Sequence, residues 1–297
     1  MKILNFGSLN IDYVYSLNHF VQKGETITSD KLNVFAGGKG LNQSIALSRA
    51  GGNVYHAGAI GADGVFLEEV LNEAGVDTRF LMKCEDVRTG NAIIQKDRGG
   101  DNCIILYGGA NQAITKEMAD EVLSAFGEGD WLFLQNEISE IPYIVEKAHE
   151  RGMRIVLNPS PMNEKILRIN LNYIDCFILN EVEAHALVQK DVDQAALLNQ
   201  LKERFPHAEI VLTLGEKGSV YAGAEGIAEQ KAYQVATVDT TAAGDTFLGY
   251  YMAGRLQGES VKEALDMAAR ASAIAVSKKG AAPSIPKRDE VLHFTAE

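Results

Sequence analysis

The feature that most constrains the fold is a regular alternation of strand-like and helical segments from about residue 113 onward. Four apolar segments, DWLFLQ, MRIVLN, DCFILN and EIVLTLG, begin about 20 to 35 residues apart, with helical patterns in the gaps. Strands separated by helices form βαβ units, because a parallel neighbour needs a long crossover. The alternation predicts a three-layer α/β fold whose mostly parallel central sheet is covered by helices on both faces.

The first third of the chain departs from this rhythm. Two β-like stretches near residues 12–17 and 26–35 have no helix between them, and NAIIQKD and NCIILY flank the turn-like residues 98–101. We predict that segments at about 12–36 and 88–108 form a small β-sheet lid over the carboxyl edge of the main sheet, where open α/β folds bind ligands. Because no linker, repeat or low-complexity tract interrupts it, the chain is predicted to be one domain, 1–297.

Charge and cysteine content narrow the partners and the compartment. The net charge is −12, and such a field repels a phosphate backbone, so nucleic acid is excluded as an expected partner. Cys84, Cys103 and Cys176 are widely spaced and suggest no disulfide framework, which favours the reducing cytoplasm. The N-terminus lacks the apolar region of a signal peptide, and no apolar stretch approaches the roughly 18 residues of a membrane span.

Several common catalytic motifs are missing from the sequence. There is no GxxxxGK[ST] phosphate loop, no HExxH zinc motif and no GxSxG nucleophile elbow. The glycines of GAIGADG (58–64) are three apart, which indicates a strand-to-helix turn and not the GxGxxG of a nicotinamide dehydrogenase. The six histidines are scattered, so each is expected on the surface or in the core and not on a metal.

The segment DTTAAGDTF (239–247) has the composition of an anion-binding turn. The small residues Ala242, Ala243 and Gly244 precede Asp245, which opens an apolar helix. Small side chains allow backbone N–H groups to approach an anion, and the helix dipole favours negative charge there. Beside such a cradle, Asp245 could take a proton from an attacking hydroxyl. For a lone aspartate, a helix cap next to a glycine turn is the simpler interpretation.

A second glycine-rich segment, GGKGLN (37–42), precedes a helical pattern. Its glycines let the backbone reach a ligand, Lys39 offers a cation, and Asn42 offers a hydrogen-bond donor and an acceptor. Taken alone, the segment is somewhat better explained as a tight loop before a helix with a solvated lysine.

Together, the two segments resemble the signatures of the ribokinase (PfkB) family of carbohydrate kinases. GGKGLNQSIALSRAGG resembles the N-terminal signature and DTTAAGDTF the C-terminal one. Similar stretches cover nearly the whole chain: GSLNID, KGETIT, TGNAII, GGAN, LNPSP, LNEVEA, TLGEKG and KGAAPS. The resemblance implies an ATP-dependent sugar kinase that uses Mg²⁺ and converts D-ribose to D-ribose 5-phosphate. A kinase for another sugar or a nucleoside and a non-catalytic sugar sensor remain the alternatives.

The resemblance also assigns roles to individual positions. It makes Asp245 the general base and the backbone of Ala242, Ala243, Gly244 and Asp245 the anion hole. The sugar-binding positions are Asn10, Asp12, Gly38, Lys39, Asn42, Glu137 and Asp245. The nucleotide-binding positions are Asn180, Thr213, Gly215, Gly218 and Gly244, with Glu183 near Mg²⁺ through water. A monovalent cation, with K⁺ as the expected activator, is assigned to Asp239, Thr241, Ala275, Lys278, Gly280 and Ser284.

Three positions depart from the family pattern. Ala269 stands where a His or Asn often lies near the adenine, Leu41 replaces the usual Ala of GGKGAN, and Asn136 replaces the usual Leu of QLE. Phosphorylated sugars are disfavoured as substrates, because three carboxylates would share one pocket with a single lysine. Exposed edges of the lid sheet, together with the family resemblance, predict a homodimer.

Overall fold

Two sheets and nine α-helices make up the computed structural model, which describes residues 1–99, 101–190 and 192–295. The strands of these described ranges are β1 (Ile3–Phe6), β2 (Asn10–Ser16), β3 (Lys31–Gly37), β4 (Val54–Gly61), β5 (Asp77–Cys84), β6 (Gly90–Lys96), β7 (Asn102–Tyr107), β8 (Trp131–Leu134), β9 (Arg154–Leu157), β10 (Cys176–Asn180), β11 (Glu209–Thr213), β12 (Ser219–Gly223) and β13 (Gly226–Gln230). The helices are α1 (Lys39–Arg49), α2 (Val65–Glu73), α3 (Lys116–Leu123), α4 (Ile141–Glu150), α5 (Glu181–Val188), α6 (Gln194–Arg204), α7 (Ala243–Leu256), α8 (Val261–Val276) and α9 (Arg288–Leu292).

The larger sheet has nine strands in the order β13-β12-β11-β10-β9-β8-β1-β4-β5. Every pair from β11 through to β5 is parallel, and only β12 and β13 run antiparallel to their neighbours. The prediction of a mostly parallel central sheet is therefore confirmed. The carboxyl ends of the parallel strands meet at one edge, so the loops that follow them are brought together.

Helices cover both faces of this sheet. Alternate side chains of a strand point to opposite faces, and in β1 Ile3 packs with α1, α2, α7 and α8, whereas Leu4 packs with α3 to α6. Both apolar clusters are made mainly of Leu, Ile, Val, Ala and Phe that are almost fully buried. These two cores give the three layers that the sequence predicts.

The smaller sheet has the order β3-β2-β6-β7. β6 and β7 fall within the predicted segment 88–108, whereas β2 begins at Asn10 and β3 ends at Gly37, just outside the predicted 12–36. We call this sheet the lid. The antiparallel pairing of β6 with β7 confirms the predicted hairpin, although Gly100 of its turn lies outside the described residues. Strand β3 begins at Lys31 and not near residue 26, because β2 ends at Ser16, directly opposite Lys31, and leaves the earlier residues without a partner strand.

Two further findings concern the helices and the cysteines. Within the described ranges, no helix combines the length and the apolar character that a membrane crossing requires. The three cysteines are all free thiols, of which Cys176 is buried and Cys103 is exposed on β7.

Candidate active site

Glu137, which follows β8, lies against the start of α1. Its Oε2 atom accepts a hydrogen bond from the backbone N–H of Lys39 at 3.1 Å, and the hydroxyl of Ser8 donates to the same oxygen. The approach is close because Gly40 has no side chain: a Cβ there would lie 2.4 Å from the backbone nitrogen of Ser8. Glu137 thus places its carboxyl group at the N-terminus of α1.

Burial and neighbouring charges have opposing effects on the pKa values of Glu137 and Lys39. Burial raises the pKa of Glu137, and Asp245 adds to this, while Lys39 and the hydrogen bonds oppose it; the net shift is upward. Burial alone would lower the pKa of Lys39, but the nearby carboxylates of Asp245, Glu137 and Glu183 outweigh burial and raise it. Lys39 is therefore a charged ammonium group within reach of three acidic side chains.

Asp245 lies in the first turn of α7 and is only 6% exposed. Its Oδ1 atom accepts a hydrogen bond from the amide of Gln43 at 2.9 Å, and its Oδ2 atom accepts one from the amide of Asn42 at 3.1 Å. Within the described structure, Oδ1 of Asn42 is buried without a partner and can still accept one hydrogen bond. The two amides fix the plane of a carboxylate that has further lone pairs for a ligand hydroxyl.

Asn10 and Asp12 lie two residues apart on β2, as the extended spacing predicts. The amide of Asn111 donates to Oδ1 of Asn10 at 2.8 Å, so the NH₂ group of Asn10 remains as its donor. Burial and the charge of Glu137 raise the pKa of Asp12 to about 7. Asp12 therefore changes charge near neutral pH.

The turn before α7 has an unusual backbone conformation. Ala242 has a φ of 61°, in the left-handed region that a residue with a side chain rarely adopts. The N–H of Ala243 donates to the carbonyl of Thr240 at 3.2 Å, but in the described ranges the N–H groups of Ala242, Gly244 and Asp245 have no acceptor. Three donors at a helix N-terminus form a site suited to an anion.

A cavity of about 360 Å³ opens beside this turn. Of the predicted nucleotide residues, Thr213, Gly215, Gly218 and Gly244 line it, whereas Asn180 does not. Its walls also include the apolar side chains of Val235, Phe247, Ala269, Ala273 and Val276. Ala269 contributes a methyl group where the family often presents a polar side chain.

Asn180 and Glu183 form a reciprocal cap at the start of α5. The side chain of Asn180 accepts from the N–H of Glu183 at 2.9 Å, and Oε2 of Glu183 accepts from the N–H of Asn180 at 3.0 Å. Glu183 is buried and not on a solvated helix edge. Its second carboxylate oxygen remains for another partner.

The predicted monovalent-cation positions lie in two segments that meet. Asp239 accepts hydrogen bonds from the N–H and hydroxyl of Thr241 and from the N–H of Gly280. Burial raises the pKa of Asp239, but these hydrogen bonds outweigh it and lower the pKa. The side chain of Lys278 forms an ion pair with Glu290 at 2.7 Å, and the hydroxyl of Ser284 donates to Ala281, so these two positions offer mainly carbonyl oxygens.

The other two departures from the family pattern are not among the hydrogen-bond partners of Asp245 in the described structure. Leu41 is fully buried in the core that contains α1 and α7. Asn136 donates to the carbonyl of Pro161 at 2.7 Å and lines a separate cavity of about 570 Å³ together with Lys116, Lys165 and Arg168. That cavity contains none of the predicted site residues.

Comparison with known proteins decides the family. A model of the "pfkB family carbohydrate kinase" matches residues 1–288. The chain belongs to this family. Family membership confirms the resemblance inferred from the two signatures and establishes that the chain is a member of a group of sugar kinases.

Similar proteins and solved structures match this chain over almost its full length. The chain is 34% identical to a ribokinase of Haemophilus influenzae, with 97% of this chain and 96% of the relative covered. A ribokinase from Cryptococcus neoformans in complex with ADP has a TM-score of 0.85 and 34% identity, covering 98% of both chains. An Arabidopsis thaliana ribokinase complexed with ribose and ATP has a TM-score of 0.86 and 27% identity, covering 99% of both.

Three residues that hold this PfkB-family site together are not predicted from the sequence. Ser8 binds Glu137, Gln43 binds Asp245, and Asn111 binds Asn10. Each lies inside or next to a motif, in GSLNID, GGKGLNQS and GGAN, so proximity to a motif was the available signal. Their partners are about 100 to 200 residues away in sequence, and no local pattern identifies such pairs.

Proposed function

We propose that the protein is an ATP-dependent kinase that converts D-ribose to D-ribose 5-phosphate. The observation that carries the proposal is the position of Asp245, which joins the sugar-binding set to the unpaired N–H groups at the start of α7. The relatives named ribokinase support the sugar, and the complexes with ADP and with ribose and ATP support the nucleotide. The cavity beside Gly244 has a size and lining that suit an adenine nucleotide.

The site residues have separate roles in the proposed reaction. Asn10, Asp12, Lys39, Asn42 and Glu137 bind the sugar hydroxyls and orient the 5-hydroxyl group. The oxygen of that hydroxyl attacks the γ-phosphorus of ATP, and Asp245 accepts the hydroxyl proton. The bond between the γ-phosphorus and the bridging oxygen breaks, and ADP leaves. The free N–H groups of the 242–245 turn stabilise the negative charge on the transferring group.

Mg²⁺ fits the site as an ion held by phosphates and water. No group of three His, Cys, Asp or Glu side chains suited to a metal occurs in the described part of the chain. Glu183 uses one oxygen in its cap and keeps the other for a water on the metal. When bound, the ion would neutralise charge on the phosphates. Asn180 would act in the same region through its place in the cap.

We also propose a K⁺ site between residues 239–241 and 275–284. The donor set consists of oxygen atoms, the ligands that hard cations prefer. An ion there would fix the turn before α7 without contacting either substrate, so we predict that K⁺ raises kcat more than Na⁺ at constant ionic strength. The measurement is the initial rate with each chloride salt. Equal rates in K⁺, Na⁺ and a bulky organic cation would contradict the site.

The proposal extends to the assembly and the compartment. Strand β7 exposes the apolar side chains of Ile104, Ile105, Leu106 and Tyr107, which a second copy of the lid would cover. We propose a homodimer formed through the lid. Free thiols at Cys84, Cys103 and Cys176 suit the reducing cytoplasm, and the whole chain, 1–297, is proposed to act as one kinase domain.

A coupled ADP-release assay across pentoses, hexoses, phosphosugars and nucleosides tests the substrate. D-Ribose should give the highest kcat/KM, because the pocket combines neutral amides with carboxylates that accept hydrogen bonds from hydroxyl groups. A better hexose or nucleoside would replace ribose as the substrate but leave the kinase activity. Tight ribose binding by calorimetry with no ADP release from any acceptor would instead favour a non-catalytic sugar sensor.

A further inference from the structure

Gln43 connects the carboxylate of Asp245 to a row of buried side-chain amides. Gln43 is fully buried in α1, and its Nε2 donates to Oδ1 of Asp245 at 2.9 Å. On its other side, Oε1 of Gln43 accepts from Nε2 of Gln135 at 2.7 Å. Gln135 also donates to Oδ1 of Asn5 at 3.0 Å, and Asn5 donates to the carbonyl of Gly40 at 3.1 Å.

The order of donors and acceptors in this row fixes which way Gln43 faces. An amide can rotate by 180° and exchange its oxygen and nitrogen, unless its partners prevent it. Gln135 presents a donor to Gln43, so the oxygen of Gln43 must face Gln135 and its NH₂ group must face Asp245. Reversal would place two oxygens together at Asp245 and two donors together at Gln135, both in a buried region.

The row also links separate elements. Asn5 belongs to β1, Gln135 follows β8, Gln43 lies in α1 and Asp245 lies in α7. A second contact comes from Asn158, whose Oδ1 lies 3.4 Å from Nε2 of Gln43. Since a hydrogen bond to a charged group is stronger than one between neutral groups, the amide of Gln43 restrains the carboxylate of Asp245 relative to the main sheet.

We propose that Gln43 is a positioning residue that holds the carboxylate of Asp245 in the orientation needed to accept the sugar proton. The inference rests on the proposed role of Asp245 as the base. Asn42 holds the other carboxylate oxygen, but it is also a sugar-binding position, whereas Gln43 acts on the reaction only through Asp245. A role in stability alone would give Gln43 no influence on turnover by the folded enzyme.

The test replaces Gln43 by methionine, which keeps the length and most of the volume but removes the amide. Because a misplaced catalytic group costs up to about 100-fold in rate, kcat of Gln43→Met should fall about 10- to 100-fold. The KM values for sugar and ATP should change by less than about 3-fold, since the groups that bind them are unaltered. Ser44→Ala is the matched control, because Ser44 is the next buried residue of α1 and its hydroxyl, within the described residues, bonds only His56. It should keep the wild-type kcat.

Gln135→Met provides a second variant that does not touch Asp245. It removes the donor that orients Gln43, so kcat should fall by less than in Gln43→Met, with KM unchanged. If Gln43→Met does not fold, as judged by circular dichroism and thermal melting, this variant carries the test. A wild-type kcat in a folded Gln43→Met protein, or in a folded Gln135→Met protein when that variant carries the test, would overturn the inference.

A double-mutant cycle separates this inference from the proposed base. In the Asp245→Asn background, adding Gln43→Met should change kcat by less than about 3-fold, because Gln43 acts through the group already removed. If the double variant instead loses kcat by the product of the two single losses, Gln43 acts independently of Asp245, and the positioning role is overturned. If Asp245→Asn itself keeps near-normal kcat, the proposed base is wrong. If Asp245→Asn is inactive while Gln43→Met is normal, only the positioning role is wrong.

Discussion

At the scale of single residues, we expect the ionisation of Asp12 to set the pH dependence of the proposed sugar binding. Its pKa of about 7 lies well above the value of 3.8 for an unburied aspartate, since burial and Glu137 both disfavour the charged form. The folded protein therefore holds a proton on Asp12 between about pH 4 and pH 7 that the unfolded chain has released. Over this window, the contribution of Asp12 to the free energy of unfolding falls as pH rises.

The same titration predicts how activity depends on pH. An ionised carboxylate accepts stronger hydrogen bonds from hydroxyl groups than a protonated carboxyl group does. The pH dependence of kcat/KM reports the ionisation of groups in the free enzyme. We therefore expect kcat/KM for the sugar to fall as pH drops below about 7. Asp12→Asn should lower kcat/KM at pH 8 and remove this limb. The measurement is kcat/KM from pH 5.5 to 9, and Glu121→Gln, an exposed change on α3, should reproduce the wild-type profile. An unchanged limb in Asp12→Asn would assign it to another group.

Asp245 gives the sharpest prediction for turnover. Asp245→Asn keeps the size of the side chain and its ability to accept from Asn42 or Gln43, but it cannot take the hydroxyl proton. General-base catalysis typically contributes about 10²- to 10⁴-fold, so kcat should fall by at least about 100-fold. The dissociation constant for the sugar should change little. The melting temperature should fall, because the new NH₂ group faces the amide donor of Asn42 or of Gln43 in a buried region. Near-normal kcat with a lowered melting temperature would show that Asp245 has only a structural role, as the acceptor for these two amides.

The identity of the site residues was more predictable than their contacts. The residues at Lys39, Asn42 and Asp245 are recognisable because two signatures carry them, and all three do lie in one region. The contact between Gln43 and Asp245 is not recognisable, because it depends on the packing of α1 against α7 across 202 residues of sequence. The left-handed conformation of Ala242 is hidden for a related reason, since an alanine gives no local sign that a turn will hold it there.

At the scale of elements, glycines at the starts of α1 and α7 serve different purposes. A Cβ at Gly40 would lie 2.4 to 2.6 Å from the backbone of Gly7 and Ser8, so α1 can approach β1 only without it. A Cβ at Gly244 would meet no atom within 4 Å and would instead enter the nucleotide cavity. The first glycine is required by packing, whereas the second leaves room for a ligand.

This contrast predicts opposite outcomes for two matched substitutions. Gly40→Ala should lower the free energy of unfolding by about 1 to 3 kcal/mol, the usual cost of overpacking. Gly244→Ala should leave the melting temperature unchanged or slightly raised, because alanine favours the helix, while raising KM for ATP or lowering kcat by about tenfold or more. Thermal melting and steady-state kinetics on both variants make the comparison. A destabilised Gly244→Ala with normal kinetics would contradict the anion cradle.

The elements themselves were predicted where long apolar patterns alternate, as in β8 to β11, and at the apolar helix α7. The apolar patterns do not reveal β5, or the antiparallel pair β12 and β13 at the far end of the large sheet. β5 and β13 are edge strands with many half-buried or exposed positions, so their pattern is weaker than that of a central strand. β12 is mostly buried but has only five residues. Their pairing is decided by the neighbouring strand and not by local composition.

At the scale of the whole molecule, net charge and local charge act differently. The chain carries a net charge of −12, yet the turn beside the proposed nucleotide site has three N–H groups without an acceptor in the described ranges, and the cation of Lys39 interacts with Asp245. Because the field of a helix end acts over one turn, it can attract a phosphate that the molecule as a whole repels. A substrate with charges spread over a larger surface, such as nucleic acid, would meet the net charge instead.

The lid sets the expected assembly of the molecule. The register aligns Val34, Tyr13, Ile93 and Ile105 across one face of the lid, and β7 leaves one edge open. Ile105 is 61% exposed and its neighbour on the opposite face, Leu106, is 55% exposed. An uncovered edge strand with apolar side chains on both faces favours association with another sheet, and a second lid offers a self-complementary partner.

Light scattering at micromolar concentration should therefore give twice the 32.2 kDa mass of one chain. Ile105→Lys and Leu106→Lys place a charge on opposite faces of β7, and at least one of them should shift the mass to that of a monomer, because an unpaired buried charge is costly. Ile227→Lys is the matched control, since Ile227 is 68% exposed on β13, the edge of the other sheet. It should remain a dimer. A monomeric wild-type chain, or a dimer that survives both lid substitutions, would rule out association through the lid.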